Sequence, residues 1–69
     1  MNIVYINLYN EMNRRNLSIA AVSAVIGVSE SVFIDKLQGL LPWNLSEALH
    51  ICCYLKISDV KYLFLQFYN

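Results

Sequence analysis

The chain has 69 residues and no formal net charge at pH 7, and it is 58% hydrophobic but only 14% charged. A chain of this length forms one small domain, 1–69, close to the size at which a single core barely outweighs chain entropy. The charged fraction is well below the roughly 25% of an average soluble domain, so we expect apolar side chains on the surface. Such a surface favours contact with a protein partner or with a second copy in a homo-oligomer.

No apolar run approaches the roughly 20 residues that a bilayer span requires, and no basic segment followed by an apolar one opens the chain like an export signal. The sequence therefore predicts a cytoplasmic protein that does not bind membranes. The cysteines Cys52 and Cys53 are adjacent, which predicts one buried and one exposed thiol rather than a disulfide framework. With His50 as the single histidine, we expect no metal site, no cofactor and no small-molecule ligand.

The first predicted helix spans 3–16, because apolar side chains recur at helical spacing from Tyr5 to Met12. Its opening residues are β-branched or aromatic, so an extended start is the alternative. Arg14 and Arg15 fall in the last turn, where cations interact favourably with the helix dipole. Contact with phosphate is the second interpretation of these two arginines.

Two short helices joined by a tight turn are predicted within 18–39. Ser18 and Ser29 can cap them, since a serine hydroxyl accepts a hydrogen bond from a free backbone N–H of the first turn. Gly27 and Gly39 stand where each helix must end in the left-handed conformation, which glycine adopts without steric cost. Two helices at a steep angle across a short glycine-containing turn form a helix-turn-helix unit.

The helix after Ser18 is apolar on nearly every side. Val22, Ser23 and Ile26 have the spacing of a buried face. The opposite face is apolar as well and consists of Ile19, Ala20, Ala21, Ala24 and Val25. A helix that is apolar all round is usually buried, which in so short a chain favours burial against another chain.

The third predicted helix, 30–38, buries Phe33 and Leu37. Its other face is expected to be exposed and consists of Glu30, Ser31, Ile34, Asp35 and Lys36. A loop follows, because Pro42 cannot continue the helix. Trp43 is either a lid on the core or an exposed anchor for a partner.

The fourth predicted helix, 45–55, opens with Asn44 and Glu47 at the spacing of a capping box. His50 is expected to be solvated. The predicted buried stripe consists of Leu45, Ala48, Leu49, Cys52 and Leu55.

Ser58 or Asp59 caps a last helix that is predicted to continue to Tyr68. Apolar residues in this segment cover more than one face, which is too many for simple docking on the core. We therefore expect a dimerisation surface at the end of the chain. Its residues are Leu65, Phe67 and Tyr68.

For catalysis the sequence offers little. It has no Gly-rich phosphate loop and no nucleophile with a base at a recognisable spacing. Glu30 and Asp35 are five positions apart, so they do not stack on one helix face. An enzyme is therefore the least favoured class of function.

Five segments at matching spacing resemble the Cro and phage-repressor type of helix-turn-helix domain, often called the XRE family. Leu17-Ser18, the run Ile-Gly-Val-Ser-Glu-Ser at 26–31 and Leu-Gln-Gly at 37–39 resemble the family's LT…LGVS.S…LNG. Asn-Leu-Ser-Glu-Ala-Leu at 44–49 resembles TLSEAL, and 57–64 resembles the closing IS…LF.

The resemblance implies an all-α, compact five-helix domain, usually dimeric, that binds double-stranded operator DNA and regulates transcription. In the family the third helix lies in the major groove, and the start of the second helix contacts DNA as well. By position, the DNA-binding residues implied here are Ser29, Glu30, Ser31, Asp35, Lys36 and Ile19.

The sequence departs from the family's pattern where phosphate contacts are expected. The residue opening the second helix, commonly glutamine, is Ile19, and the commonly basic loop after the third helix is Leu-Leu-Pro-Trp at 40–43. On the expected DNA face one cation, Lys36, stands against the acids Glu30 and Asp35. Acids can accept hydrogen bonds from cytosine, but phosphate affinity comes from cations.

The alternative is a helix-turn-helix scaffold that has lost DNA binding and binds protein, for example as a mixed dimer with a related repressor. Basic residues on the side of the third helix would favour DNA over protein; the residues concerned are Arg14, Arg15, Lys56 and Lys61. The apolar surface proposed for a protein partner consists of Ile19, Val25, Ile34, Leu40, Leu41 and Trp43.

Overall fold

The computed structural model describes residues 1–68, which form five α-helices and no strand. The helices are α1 (Ile6–Arg14), α2 (Ile19–Val25), α3 (Glu30–Leu37), α4 (Leu45–Leu55) and α5 (Val60–Leu63). They enclose one core, whose largest fully buried side chains are Phe33, Leu8, Met12, Leu37, Ile51, Leu63 and Val22. The predicted all-α class and the number of helices are confirmed for this part of the chain. None of its helices has the length and apolar character needed to cross a membrane.

The α2–turn–α3 unit forms by the predicted local chemistry. The Ser18 hydroxyl oxygen accepts a hydrogen bond from the Ala21 N–H at 3.0 Å, and the Ser29 hydroxyl oxygen accepts one from the Val32 N–H at 3.1 Å. Gly27 between the two helices has a φ of +69°, the left-handed conformation that the turn requires. The helix that α3 contacts most is α2, and α2 also packs on α4.

The first helix starts later than the predicted span 3–16, because the residues before Ile6 are not helical and are bonded to the end of α3. The backbone N–H groups of Val4 and Tyr5 both donate to the Leu37 carbonyl oxygen, at 3.0 and 3.4 Å. These residues thereby obtain hydrogen-bond partners that a first helical turn does not supply. After the other end of α1, Asn16 has a φ of +56°, in the left-handed conformation that often ends a helix.

The last helix is one turn long, so the predicted continuation to Tyr68 is wrong. Asp59 caps it, with the side-chain oxygen accepting from the Tyr62 N–H at 3.0 Å. The residues after it are not helical and run beside the N-terminal segment, where the Phe67 N–H donates to the Val4 carbonyl oxygen at 2.8 Å. This long-range bond satisfies backbone that a longer helix would have bonded internally.

The fourth helix has the predicted bounds and the predicted capping box. The Asn44 side chain accepts from the Glu47 N–H at 2.8 Å, and the Glu47 carboxylate accepts from the Asn44 N–H at 3.1 Å. The backbone N–H groups of Asn44 and Glu47, which have no partner within the helix, are therefore each bonded to the other residue's side chain.

The buried stripe of α4 differs from the prediction. Leu45 and Leu49, expected inside, are 70% and 49% exposed, whereas Ile51 is fully buried. The helix is rotated so that its inner stripe consists of Ala48, Ile51, Cys52 and Leu55. Both stripes are apolar at helical spacing, and packing on α2 and α5 selects the second one.

Candidate functional site

The implied DNA-contacting side chains at the start of α3 are exposed. Glu30 and Ser31 lie open to solvent, while Asp35 is half-buried one turn further on. Ser29 is exposed too, but its hydroxyl is occupied as the helix cap. Ile19, at the start of α2, packs half-buried against the core. The accessible polar groups of this face are therefore those of Glu30 and Ser31.

Lys36 does not lie on the exposed face of α3, contrary to expectation. It is only 8% exposed, and its ammonium donates to the Pro42 carbonyl oxygen at 2.7 Å and to the Glu47 carboxylate at 2.9 Å. The Nζ atom also lies 5.5 Å from the centre of the Trp43 ring. The charge of Lys36 is thus neutralised within the chain rather than presented to phosphate.

The Glu47 carboxylate keeps its charge in this pair. Burial raises the pKa of Glu47, but the hydrogen bonds from Lys36 and the Asn44 N–H, together with the Lys36 charge, outweigh burial and hold that pKa below its ordinary value of 4.5. The ion pair is therefore formed at neutral pH.

Trp43 is a half-buried lid on the core and not an exposed anchor. Its ring makes edge contacts with Tyr5, Phe33 and Phe64, with ring centroids 5.9, 5.5 and 5.1 Å away. Its Nε1 atom is buried and has no hydrogen-bond partner within the described residues. Of the two interpretations of Trp43, the core lid agrees with the structure.

The loop after α3 exposes leucine instead of cations. Leu40 is 68% and Leu41 is 38% exposed. They line an open groove of about 620 Å³, whose lining also includes Leu45, Phe64 and Gln66. The other apolar residues proposed for a protein partner are less accessible: Ile19, Val25 and Ile34 are all half-buried.

The arginines lie where α1 contacts α5. Arg14 pairs with the Glu11 carboxylate at 3.2 Å, and Arg15 pairs with the other oxygen of the same group. The buried Glu11 also accepts a hydrogen bond from the Tyr62 hydroxyl at 2.7 Å. Hydrogen bonds from Tyr62 and Arg15 hold the pKa of Glu11 below its ordinary value, although burial opposes them. Both arginines thus serve a cluster that joins α1 to α5, and Lys61 lies on α5 itself.

The residues predicted for dimerisation are exposed, with Leu65, Phe67 and Tyr68 at 51%, 42% and 70%. Tyr68 lies beside the loop after α3, since its hydroxyl is 3.9 Å from the position that a Cβ on Gly39 would occupy. Cys52 is buried and Cys53 exposed, as predicted. Burial, and the charge of Asp59, raise the pKa of the Cys52 thiol.

No protein-family model, no curated protein and no solved structure matches this chain. The likeness to the Cro and phage-repressor type therefore rests on the residues that resemble the family's pattern and remains a prediction.

Proposed function

We propose that the chain is a DNA-binding transcriptional regulator of the Cro and phage-repressor helix-turn-helix type. The observation that supports the proposal is the α2–turn–α3 unit, with serine caps on both helices and Gly27 in the left-handed conformation. In such units the start of the unit's second helix, which is α3 in this chain, contacts base edges in the major groove. The exposed Glu30 and Ser31 occupy that position, with the half-buried Asp35 one turn behind.

The charges of the chain favour base contacts over phosphate contacts as the source of affinity. Of the five lysine and arginine residues, Lys36 is engaged with Glu47 and the two arginines with Glu11, which leaves Lys56 and Lys61 for phosphate. Each neutralised phosphate contributes about −0.9 to the slope of log affinity against log salt. The slope per chain is therefore expected to be about −1.8, and affinity for random DNA is expected to be low.

The test is selection of binding sites from a randomised duplex pool, followed by fluorescence anisotropy on the selected duplex between 50 and 200 mM salt. We expect a two-fold symmetric site that includes cytosine, whose amino group donates to a glutamate carboxylate. The variant Glu30→Gln should lose about tenfold in discrimination at one position while binding random DNA more tightly, because it removes a negative charge. Asn10→Ala, at an exposed position on α1, is the control and should change neither quantity.

A folded protein that selects no site and binds no duplex at 50 mM salt would contradict the proposal. Selection of a site whose affinity is unchanged in both Glu30→Gln and Ser31→Ala would instead contradict the assignment of these two residues. The two failures are therefore separable in one set of measurements.

A second candidate function is binding to a protein, and a specific observation favours it. The loop after α3, commonly basic in the resembled family, here exposes Leu40 and Leu41. The variant Leu40→Lys separates the two functions. It should strengthen random-duplex binding and steepen the salt slope by about one contact if the face meets DNA. If the scaffold binds only protein, neither the native chain nor Leu40→Lys should bind DNA.

A further inference from the structure

The segments before α1 and after α5 meet at the end of α3, in an arrangement here named the terminal clamp. The Phe67 N–H donates to the Val4 carbonyl oxygen at 2.8 Å, and the N–H groups of Val4 and Tyr5 donate to the Leu37 carbonyl oxygen at 3.0 and 3.4 Å. The Gln66 side-chain amide donates to the Tyr5 hydroxyl. A continuous series of hydrogen bonds therefore runs from the segment after α5, through the segment before α1, to the last residue of α3. The residues of the clamp are 4–5 and 65–68.

The half of the clamp after α5, residues 65–68, is held by few contacts. Within the described residues, Phe67 makes its one backbone hydrogen bond to the N-terminal segment, and Gln66 makes its one side-chain hydrogen bond. Leu65, Phe67 and Tyr68 remain 51%, 42% and 70% exposed, so their detachment removes little apolar burial. The backbone entropy that these residues regain on detachment opposes the two hydrogen bonds, which contribute little net stability because water replaces them.

The half of the clamp before α1 depends on the half after α5. Val4 and Tyr5 are buried, at 4% and 7% exposed, but belong to no helix. The Val4 carbonyl oxygen accepts its one described hydrogen bond from Phe67. Detachment of Phe67 leaves that buried carbonyl without a partner, which is costly and favours release of Val4 into water.

Both halves of the clamp also converge on Gly39. Cγ2 of Val4 lies 3.1 Å, and the Tyr68 hydroxyl 3.9 Å, from the position that a Cβ on Gly39 would occupy. The two halves therefore touch the end of α3 at the same place, and movement of one removes a neighbour of the other.

We infer that the terminal clamp opens as one unit while the helical core stays folded, and that its opening frees the end of α3. Segments with few buried contacts open in this way, in contiguous cooperative units below global unfolding. The remaining core keeps fully buried side chains on three helices, among them Leu8, Phe33 and Ile51. The clamp thus links the segment after α5 to the helix that the proposed function assigns to DNA. The opening is a property of the free chain and does not require DNA binding.

Native-state amide hydrogen exchange of the full chain, followed by NMR below the urea unfolding transition, tests the inference. The amide protons of Val4, Tyr5 and Phe67 should show similar protection, about tenfold or more below that of Phe33 in the core. Their exchange should depend little on urea, because a small opening exposes little surface. Protection of Val4 and Tyr5 equal to that of Phe33 would overturn the inference.

A core substitution separates opening of the clamp from global unfolding. Val22→Ala, at a fully buried position of α2, should accelerate exchange at Phe33 about tenfold or more and leave the clamp amides unchanged, because the core is intact in both the closed and the open clamp. Ile51→Val is the milder variant, for use if Val22→Ala does not fold, and should give the same pattern at about threefold. Acceleration of the clamp amides by the same factor as Phe33 would overturn the inference.

Replacement of single backbone amides by esters, in the chemically synthesised full chain, tests the link between the two halves. An ester at Phe67 removes the N–H that bonds Val4 and should accelerate exchange at Val4 and Tyr5 about fivefold. An ester at Tyr68, whose N–H bonds no other described residue, is the matched control and should change these rates by less than about twofold. Unchanged exchange at Val4 and Tyr5 in the Phe67 ester would mean that the two halves open separately, and would overturn the inference.

Discussion

Lys36 and Glu47 face each other across the connection between α3 and α4, with Nζ and Oε1 2.9 Å apart. The same Glu47 oxygen accepts from the Asn44 N–H and completes the α4 capping box. Lys36 donates in addition to the Pro42 carbonyl oxygen. One lysine therefore fixes the start of the next helix and the loop that leads to it. The same contacts remove this cation from the candidate DNA face.

Lys36→Met is expected to lower the free energy of unfolding by about 1–3 kcal/mol, because it leaves a largely buried carboxylate without its partner. The double variant, Lys36→Met with Glu47→Gln, should lower the free energy of unfolding by less than the sum of the two single substitutions, because the two groups interact. Urea unfolding followed by the fluorescence of the single tryptophan measures the two single variants and the double variant. Lys61→Met, at an exposed position on α5, is the matched control and should stay within about 0.5 kcal/mol of the native chain. Equal effects of Lys36→Met and Lys61→Met would contradict the pairing.

Stability is expected to fall in acid because the pKa values of Glu11 and Glu47 are both held below the ordinary 4.5. When a carboxyl pKa is lower in the folded chain, the unfolded chain binds more protons as pH falls. The stabilisation is therefore complete above pH 4.5 and is lost as pH falls through the folded pKa values. Thermal unfolding between pH 7 and pH 3 should show this loss.

Tyr62→Phe tests the contribution of Glu11 to this acid dependence. The Tyr62 hydroxyl donates the hydrogen bond that lowers the pKa of Glu11 most, so its removal should raise that pKa toward 4.5. Carboxyl-carbon NMR titration of Glu11 measures the change directly, and the Glu47 titration in the same spectra is the control. An unchanged Glu11 titration would mean that the two arginines hold the carboxylate without Tyr62.

The sequence predicts those parts of the fold that local chemistry determines. Ser18, Ser29 and Asn44 cap their helices as expected, because an N-cap bond forms within three residues of the cap. Gly27 marks the turn for a similarly local reason. The exposure of Glu30 and Ser31 follows from their position at the start of α3, so these candidate site residues could be predicted.

Features that depend on distant contacts could not be predicted. The sequence permits two apolar stripes on α4, and only tertiary packing buries Ile51 and exposes Leu49. The N-terminal and C-terminal segments are not helical, and they bond to each other through the Phe67 N–H and the Val4 carbonyl oxygen. Lys36 has the spacing of an exposed residue, and its partner lies beyond a loop. The candidate site therefore has one cation fewer than its sequence suggests.

Trp43→Ala is expected to lower the free energy of unfolding by about 3–5 kcal/mol, because the ring packs against Tyr5, Phe33 and Phe64. Trp43→Phe should cost less, since it keeps an aromatic ring and removes the unpartnered indole N–H. Calorimetric unfolding measures both variants, and Tyr54→Ala, at an exposed position on α4, is the control for the loss of an aromatic side chain. A small effect of Trp43→Ala on the free energy of unfolding would contradict the packing of Trp43 on the core and favour an exposed Trp43.

Gly27→Ala and Gly39→Ala are expected to differ, although both glycines have positive φ, +69° and +77°. Left-handed backbone costs an alanine about 1–2 kcal/mol, and at Gly27 this is the whole cost, because no atom lies within 4 Å of the added Cβ. At Gly39 the added Cβ would lie 3.1 Å from Cγ2 of Val4, so crowding should add about 1 kcal/mol or more.

Urea unfolding of the two glycine variants side by side measures the difference, and Gly39→Ala combined with Val4→Ala is the control for crowding. The Val4 change removes the methyl group that the new Cβ would meet, so the cost of Gly39→Ala in that background should fall to the cost of Gly27→Ala. Equal costs in the native background would mean that the N-terminal segment moves away from Gly39. No cost at Gly27 would mean that the turn between α2 and α3 does not need the left-handed conformation.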